Sequence, residues 1–141
     1  MIAAIRVRGK VNRPEEIENT LTRLRLRRKN VCVLLPEKPE VIGMLKKVKD
    51  VVTWGEIDKK TLEELVTKRG RLEGNKQIPK DQIQKIIEKL EKGEQTEIKP
   101  FFRLNPPRKG FERKGIKHSF KEGGALGYRR EKINDLIRKM L

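Results

Sequence analysis

The sequence is poor in the residues that most often carry chemistry. In 141 residues it has one cysteine, one histidine, one tryptophan and one tyrosine, and aromatics make up 4%. A lone cysteine, Cys32, forms no internal disulfide; within the apolar run Val31-Cys32-Val33-Leu34-Leu35 it reads as a small core hydrophobe. One Cys and one His fall short of the three or four protein ligands of a zinc site. A Cys32–His118 nucleophile pair is conceivable but conflicts with a cysteine in a strand core. Grouped carboxylates occur as Glu15-Glu16-Glu18 and Glu63-Glu64, in helix-start positions where a structural reading suffices. Gly123-Gly124-Ala125-Leu126-Gly127 lacks the Lys-Ser/Thr ending of a phosphate-binding P-loop. No apolar run approaches the ~20 residues needed to span a bilayer, and no signal-peptide apolar segment is visible. These absences argue against an enzyme, a metalloprotein and a membrane-spanning protein. The expectation is an intracellular protein with no catalytic residue, metal, cofactor or small-molecule substrate.

What is abundant is positive charge. Lys and Arg number 36 against 20 acids, a net charge of +16. A body of this size repels itself unless a polyanion neutralises it, so nucleic acid is the first candidate partner. An anionic membrane surface would require a basic amphipathic helix with large apolar residues on its other face.

Hydrophobic periodicity outlines the fold. Ile2 to Arg8 begins apolar and then alternates, as in a strand with one buried face. Pro14, with Glu15 and Glu16 behind it, opens a helix whose Ile17, Leu21 and Leu24 form one face. Val31–Leu35 reads as a second strand, Ile42, Leu45, Val48 and Val52 as a second helix, and Val51–Trp54 as the start of a third strand, so that Val52 is open to either element. Residues 1–57 thus read as βαβαβ, with the helices on one face of a small sheet and Trp54 in the packing. Residues 58–141 read as an extension. Asp58 caps a helix bearing Leu62, Leu65 and Val66, which Gly70 ends. Residues 71–77 form a loop or small ribbon. Pro79 opens a helix with Ile83, Ile86, Ile87 and Leu90, and Phe101–Leu104 is a short strand. A final amphipathic helix carries Ile133, Leu136, Ile137 and Met140 and is expected to pack back on the core.

The charge is unevenly spread along this outline. Arg6, Arg8, Lys10 and Arg13 run from the first strand into its turn. Arg23, Arg25, Arg27, Arg28 and Lys29 follow the first helix, more cations than a helix C-terminus requires. Between Pro100 and Arg130 nine Lys and Arg stand against two acids, interleaved with glycines, prolines and rings. Glycine lets backbone approach phosphate, Arg makes paired hydrogen bonds to it, and rings stack on unpaired bases. Phe120 and Tyr128 are read either as such stacking groups or as anchors that tether the loop. On residues alone an RNA-binding structural protein, an RNA-processing enzyme and a chromatin-like DNA binder all stay open.

Several motifs narrow the choice. They are Ile5-Arg6-Val7-Arg8-Gly9, Thr20-Leu21, Leu24-Arg25-Leu26, Gly43-Met44-Leu45, Thr53-Trp54-Gly55-Glu56-Ile57 and Lys68-Arg69-Gly70-Arg71-Leu72. In the second half they are Phe102-Arg103-Leu104-Asn105-Pro106-Pro107-Arg108 and Ser119 through Arg129. With these the chain resembles, over nearly its whole length, the universal large-subunit ribosomal protein L-thirty family in its longer archaeal form, whose eukaryotic relative is L-seven. The resemblance implies a ferredoxin-like α+β core, no catalytic activity or cofactor, and a cytoplasmic place in the ribosome. The implied partners are 23S rRNA, 5S rRNA and neighbouring large-subunit proteins, near the long RNA helix called the A-site finger. The expected rRNA-contacting residues are Arg6, Arg8, Lys10, Arg13, Arg25, Arg27, Arg28, Arg69, Arg71, Arg103, Arg108, Lys109, Lys117, His118, Lys121, Tyr128 and Arg129. Residues 75–97 carry nothing over.

Overall fold

The computed structural model describes residues 1–9, 13–93, 96 and 98–141. The chain begins with strand β1 (Ile2–Arg6), helix α1 (Glu15–Arg23), strand β2 (Val31–Leu35), helix α2 (Pro39–Lys47) and strand β3 (Val52–Glu56). Helices α3 (Lys59–Arg69) and α4 (Ile83–Glu91) follow, then strands β4 (Phe102–Arg103) and β5 (Gly127–Tyr128), and helix α5 (Ile133–Met140). The five strands form one sheet in the order β4-β2-β1-β3-β5. All neighbours are antiparallel except β3 and β5. The α+β class and the βαβαβ core agree with the sequence reading. The outer strands differ from it: β4 keeps only the middle two of its four expected residues, and β5 was not expected.

The sheet is covered on both faces. Ile2 and Ala4 point with Val31, Val33, Val52 and Trp54 into a core closed by Leu21 of α1, Leu24 just after it and Leu45 of α2. Ala3 and Ile5 point the other way, with Cys32 and Phe102, into a core closed by residues of α3, α4 and α5. The expected one-faced β1 is therefore corrected: all five of its residues are buried. The reason is the C-terminal half, whose helices cover the second face, and a strand buried on both sides reads as a continuous apolar run.

Local chemistry sets the helix ends. The Asp58 carboxylate accepts the Thr61 backbone N–H at 2.7 Å and caps α3; that bond holds its carboxyl below the usual carboxylate range. Pro14 stands just before α1 rather than within it, with Glu15, Glu16 and Glu18 in the positive first turn. α4 begins four residues after Pro79. Residues 71–77 form a small ribbon, with Arg71 bridged to Gln77 and Leu72 to Ile98. α5 is tied to the β3–α3 junction by Asn134, whose side chain accepts the Asp58 N–H and donates to the Glu56 carbonyl. Gly55 of β3 permits this docking, since a Cβ there would lie 1.9 Å from the Arg130 carbonyl oxygen.

Candidate nucleic-acid interface

Strand register brings the basic segments together. Arg6 pairs with Val52, Val31 with Arg103, and Thr53 with Gly127. The C-terminal end of β1, the turn before β2, the exit of β4 and the entry of β5 therefore share one end of the sheet. Arg8, Arg25, Arg27, Arg28 and Arg103 sit at that end, and so does the loop from Arg108 to Lys121. At the opposite end stand Glu37, which pairs with the N-terminal amine at 3.1 Å, and Glu56. The arginine clusters are thus concentrated at one end of the sheet, while the carboxylates at the other stand among lysines such as Lys38 and Lys59.

The turn after α1 is built to present its arginines. The Leu26 N–H bonds the Leu21 carbonyl and the Arg25 N–H bonds that of Thr22, the paired closure of a Schellman cap. Arg25 occupies the left-handed position, with φ of 64°. Glycine is favoured there, and an ordinary residue costs about 1 kcal/mol. The strained turn leaves Arg25, Arg27 and Arg28 exposed. With Val31, Phe101 and Arg103 they line a cleft of about 280 Å³. A second cleft, about 190 Å³, is lined by Arg69, Arg71, Asn75, Lys99, Phe101 and Arg103. Phe101 and Arg103 are common to both, so the two clefts adjoin across β4, and neither is lined by a carboxylate. Gly70 is required between Arg69 and Arg71, since a Cβ would lie 2.5 Å from the Val66 carbonyl oxygen. Arg71 is steadied by donating to the Gly70 and Lys68 carbonyls.

The basic loop is folded, not free. Phe111 and Ile116 pack against Val7, Ala125 and Leu126. Lys114 N–H donates to the Gly123 carbonyl, Ala125 N–H to that of Gly115 and Leu126 N–H to that of His118. Gly124 lies so near His118 that a Cβ would meet its carbonyl oxygen at 2.1 Å. Arg108, Lys109, Lys117, His118 and Lys121 are left exposed on this scaffold. Arg13 is half-buried beside the Gly9 carbonyl and Arg8 is half-buried. Lys10 lies outside the described residues.

Two expected contact residues are buried and paired within the protein. Arg6 is 0% exposed; its guanidinium donates to both Glu18 carboxylate oxygens and to the Leu26 and Arg8 carbonyls. Arg129 is 2% exposed and donates to both Glu112 oxygens, to Thr53 Oγ1 and to the Ala125 carbonyl, with the Phe120 ring 4.8 Å beneath it. Both guanidinium groups are buried, and each of their nitrogens is hydrogen-bonded within the protein. They instead anchor the α1–β2 turn and the basic loop, and they engage two of the acids at the cationic end. Phe120 belongs to the Arg129 anchor. Tyr128 is 45% exposed, but its hydroxyl donates to Glu56, which pushes its pKa up to about 12.

The nucleophile pair does not form. Cys32 is fully buried in the sheet, its thiol pushed up to about 12 by desolvation, whereas His118 stands on the exposed loop beside Glu122. No group of three potential metal ligands occurs among the described residues. Sequence reasoning missed Phe101 and Lys99 as site residues. The signal was present in their placement just before the Phe102-Arg103 motif, but only the β2–β4 register sets them between two arginine clusters.

Comparison with known proteins agrees with this architecture. The family described as ribosomal protein L30p/L7e matches residues 2–52. The large ribosomal subunit protein uL30 of Methanococcus vannielii is 50% identical, over 99% of this chain and 98% of its own. Those of Nanoarchaeum equitans and Methanopyrus kandleri are 48% and 42% identical, over 97% and 96% of this chain and 96% and 100% of theirs. By identity sustained along almost its entire length, the chain belongs to the ribosomal protein L30p/L7e family.

Proposed function

We propose that this chain is a structural constituent of the archaeal large ribosomal subunit in the cytoplasm. It binds 23S rRNA at its cationic end, close to 5S rRNA and to neighbouring large-subunit proteins. The family is one of ribosomal structural proteins rather than enzymes. The observation that carries the reading is the gathering of Arg8, Arg25, Arg27, Arg28, Arg103 and the 108–121 loop at one end of the sheet. Such an array neutralises phosphates. Because the A-form major groove is deep and narrow, it recognises folded RNA by shape and reads bases only in loops and bulges. The strained Arg25 turn and the two buried arginine anchors fix these cations before RNA arrives, which lowers the ordering cost of binding.

The test is incorporation into subunits. Arg108→Glu, Lys117→Glu and Lys121→Glu together reverse three exposed charges without touching either core. The expected outcome is loss of the triple variant from the large-subunit peak in a high-salt gradient, with its melting temperature unchanged. Full retention of the triple variant refutes the loop's role, and failure of the wild-type chain to co-sediment refutes the proposal. Affinity for 23S rRNA should also fall steeply with salt, by about 10³–10⁵ between 50 and 200 mM if 6–10 phosphates are contacted.

A further inference from the structure

We infer that Phe101 is the platform for a single unstacked nucleobase of the bound RNA, whose flanking phosphates are held by Arg27 and Arg28 on one side and by Arg71 and Lys99 on the other. The inference rests on the rRNA reading and specifies what that surface recognises. Phe101 is the one aromatic ring in either cleft, and it belongs to both. It is half-buried and packs against the α1–α2 core, so the ring is held still while one part of it faces outward. Arg103, which lines both clefts, carries its guanidinium 5.8 Å from the ring centroid. A planar base stacks on the guanidinium that overlies the ring or, with Arg103 swung aside, on the ring itself, the two surfaces on which unpaired bases stack.

The surroundings suit a nucleotide of a longer strand. The clefts are small, about 280 and 190 Å³, and lined by cations around one ring. A duplex presents phosphate and ribose and keeps its base faces stacked inside, so an apolar ring between two cation clusters has no partner there. A strand with one base turned out satisfies both kinds of surface at once. The cations are set in advance: Lys99 Nζ donates to Asn75 Oδ1 at 2.6 Å, and Arg71 to the Gly70 carbonyl at 2.8 Å. Arg69 Nε, buried beside the second cleft, has no hydrogen-bond partner among the described residues. Tyr128, the more exposed ring, is a poorer platform because the Glu56 carboxylate beside it repels phosphate.

The experiment measures binding of the full chain to deproteinised archaeal 23S rRNA, with duplex DNA as competitor. Phe101→Leu keeps the apolar packing and removes the stacking face. It should weaken binding about tenfold, which is about 1.4 kcal/mol and within the range for one stacked base, without changing the salt slope. Phe101→Tyr should restore affinity to within about twofold. Ultraviolet irradiation of the wild-type complex should attach a nucleotide to the peptide containing Phe101, a readout that needs no variant to fold. Leu binding as well as Phe, Tyr binding as weakly as Leu, or adducts confined to other peptides overturns the inference and leaves the rRNA reading standing. Wild-type protein that prefers duplex DNA overturns the rRNA reading itself.

Discussion

Replacing Glu112 by Gln isolates what the buried Arg129 anchor contributes. The Arg129 side chain is 1% exposed and that of Glu112 25%. Gln keeps the shape and one acceptor but removes the compensating charge. Breaking a buried pair by removing one partner costs about 3–5 kcal/mol. Here Thr53 Oγ1, the Ala125 carbonyl and the Phe120 ring remain around the guanidinium, and the quarter exposure of Glu112 screens part of the charge. The expected cost is therefore about 2 kcal/mol, below that range. Its location matters more than its size. Glu112 and Arg129 close the loop that runs between β4 and β5, so the loss should open that loop and spare the central sheet. Native-state hydrogen exchange reads this directly. The Lys114, Ala125 and Leu126 amides, bonded within the loop, should exchange about 30-fold faster, the factor that ~2 kcal/mol sets, while those of β1 stay unchanged. Equal acceleration in β1, or none in the loop, refutes the assignment of Arg129 as a local anchor.

Two further substitutions probe the scaffold. Asp58→Ala removes the α3 cap and should cost about 1 kcal/mol at neutral pH. Because folding lowers the Asp58 pKa, the cap contributes fully above the unfolded value near 4 and fades as pH falls through the folded value. The melting-temperature gap between variant and wild type should therefore narrow as the pH is taken down past the unfolded value, and a gap independent of pH counts against the cap. Gly55→Ala places a methyl 1.9 Å from the Arg130 carbonyl oxygen and forces α5 away from β3. Urea unfolding should show a loss of about 3 kcal/mol, the upper end for overpacking; a loss below about 0.5 kcal/mol means that the backbone yields freely.

Elements governed by local spacing were legible. The Leu21–Leu24 and Ile133–Met140 faces, the Asp58 cap and the apolar run Val31–Leu35 needed only their own segments. β5 was not legible, because two residues that include a glycine carry no period and pair only by lying parallel to β3. The arginine roles divide in the same way. Exposed Arg27, Arg28 and Arg108 look like Arg6 and Arg129 in sequence, since the partners that bury the latter are 12 and 17 residues away. A clue was nonetheless present. Glu112 is one of two acids in the basic stretch, and Glu18 lies beside the inward-facing Ile17, Leu21 side of α1. An acid where charge and packing both disfavour it marks an inward cation.

The two-residue outer strands have a consequence for how the chain is made. β2 and β3 form the rims of a three-stranded unit complete by Glu56, whereas the residues that cover those rims are 102–103 and 127–128. During synthesis, some 45 residues are added before the first rim is covered and some 70 before the second. Over that interval the nascent protein presents bare peptide groups able to recruit another chain by β-addition. Once both short strands dock, each edge offers too little backbone to template a neighbour. The two short strands thus reach the sheet last, and they shorten the edge on which a second copy of the chain could pair.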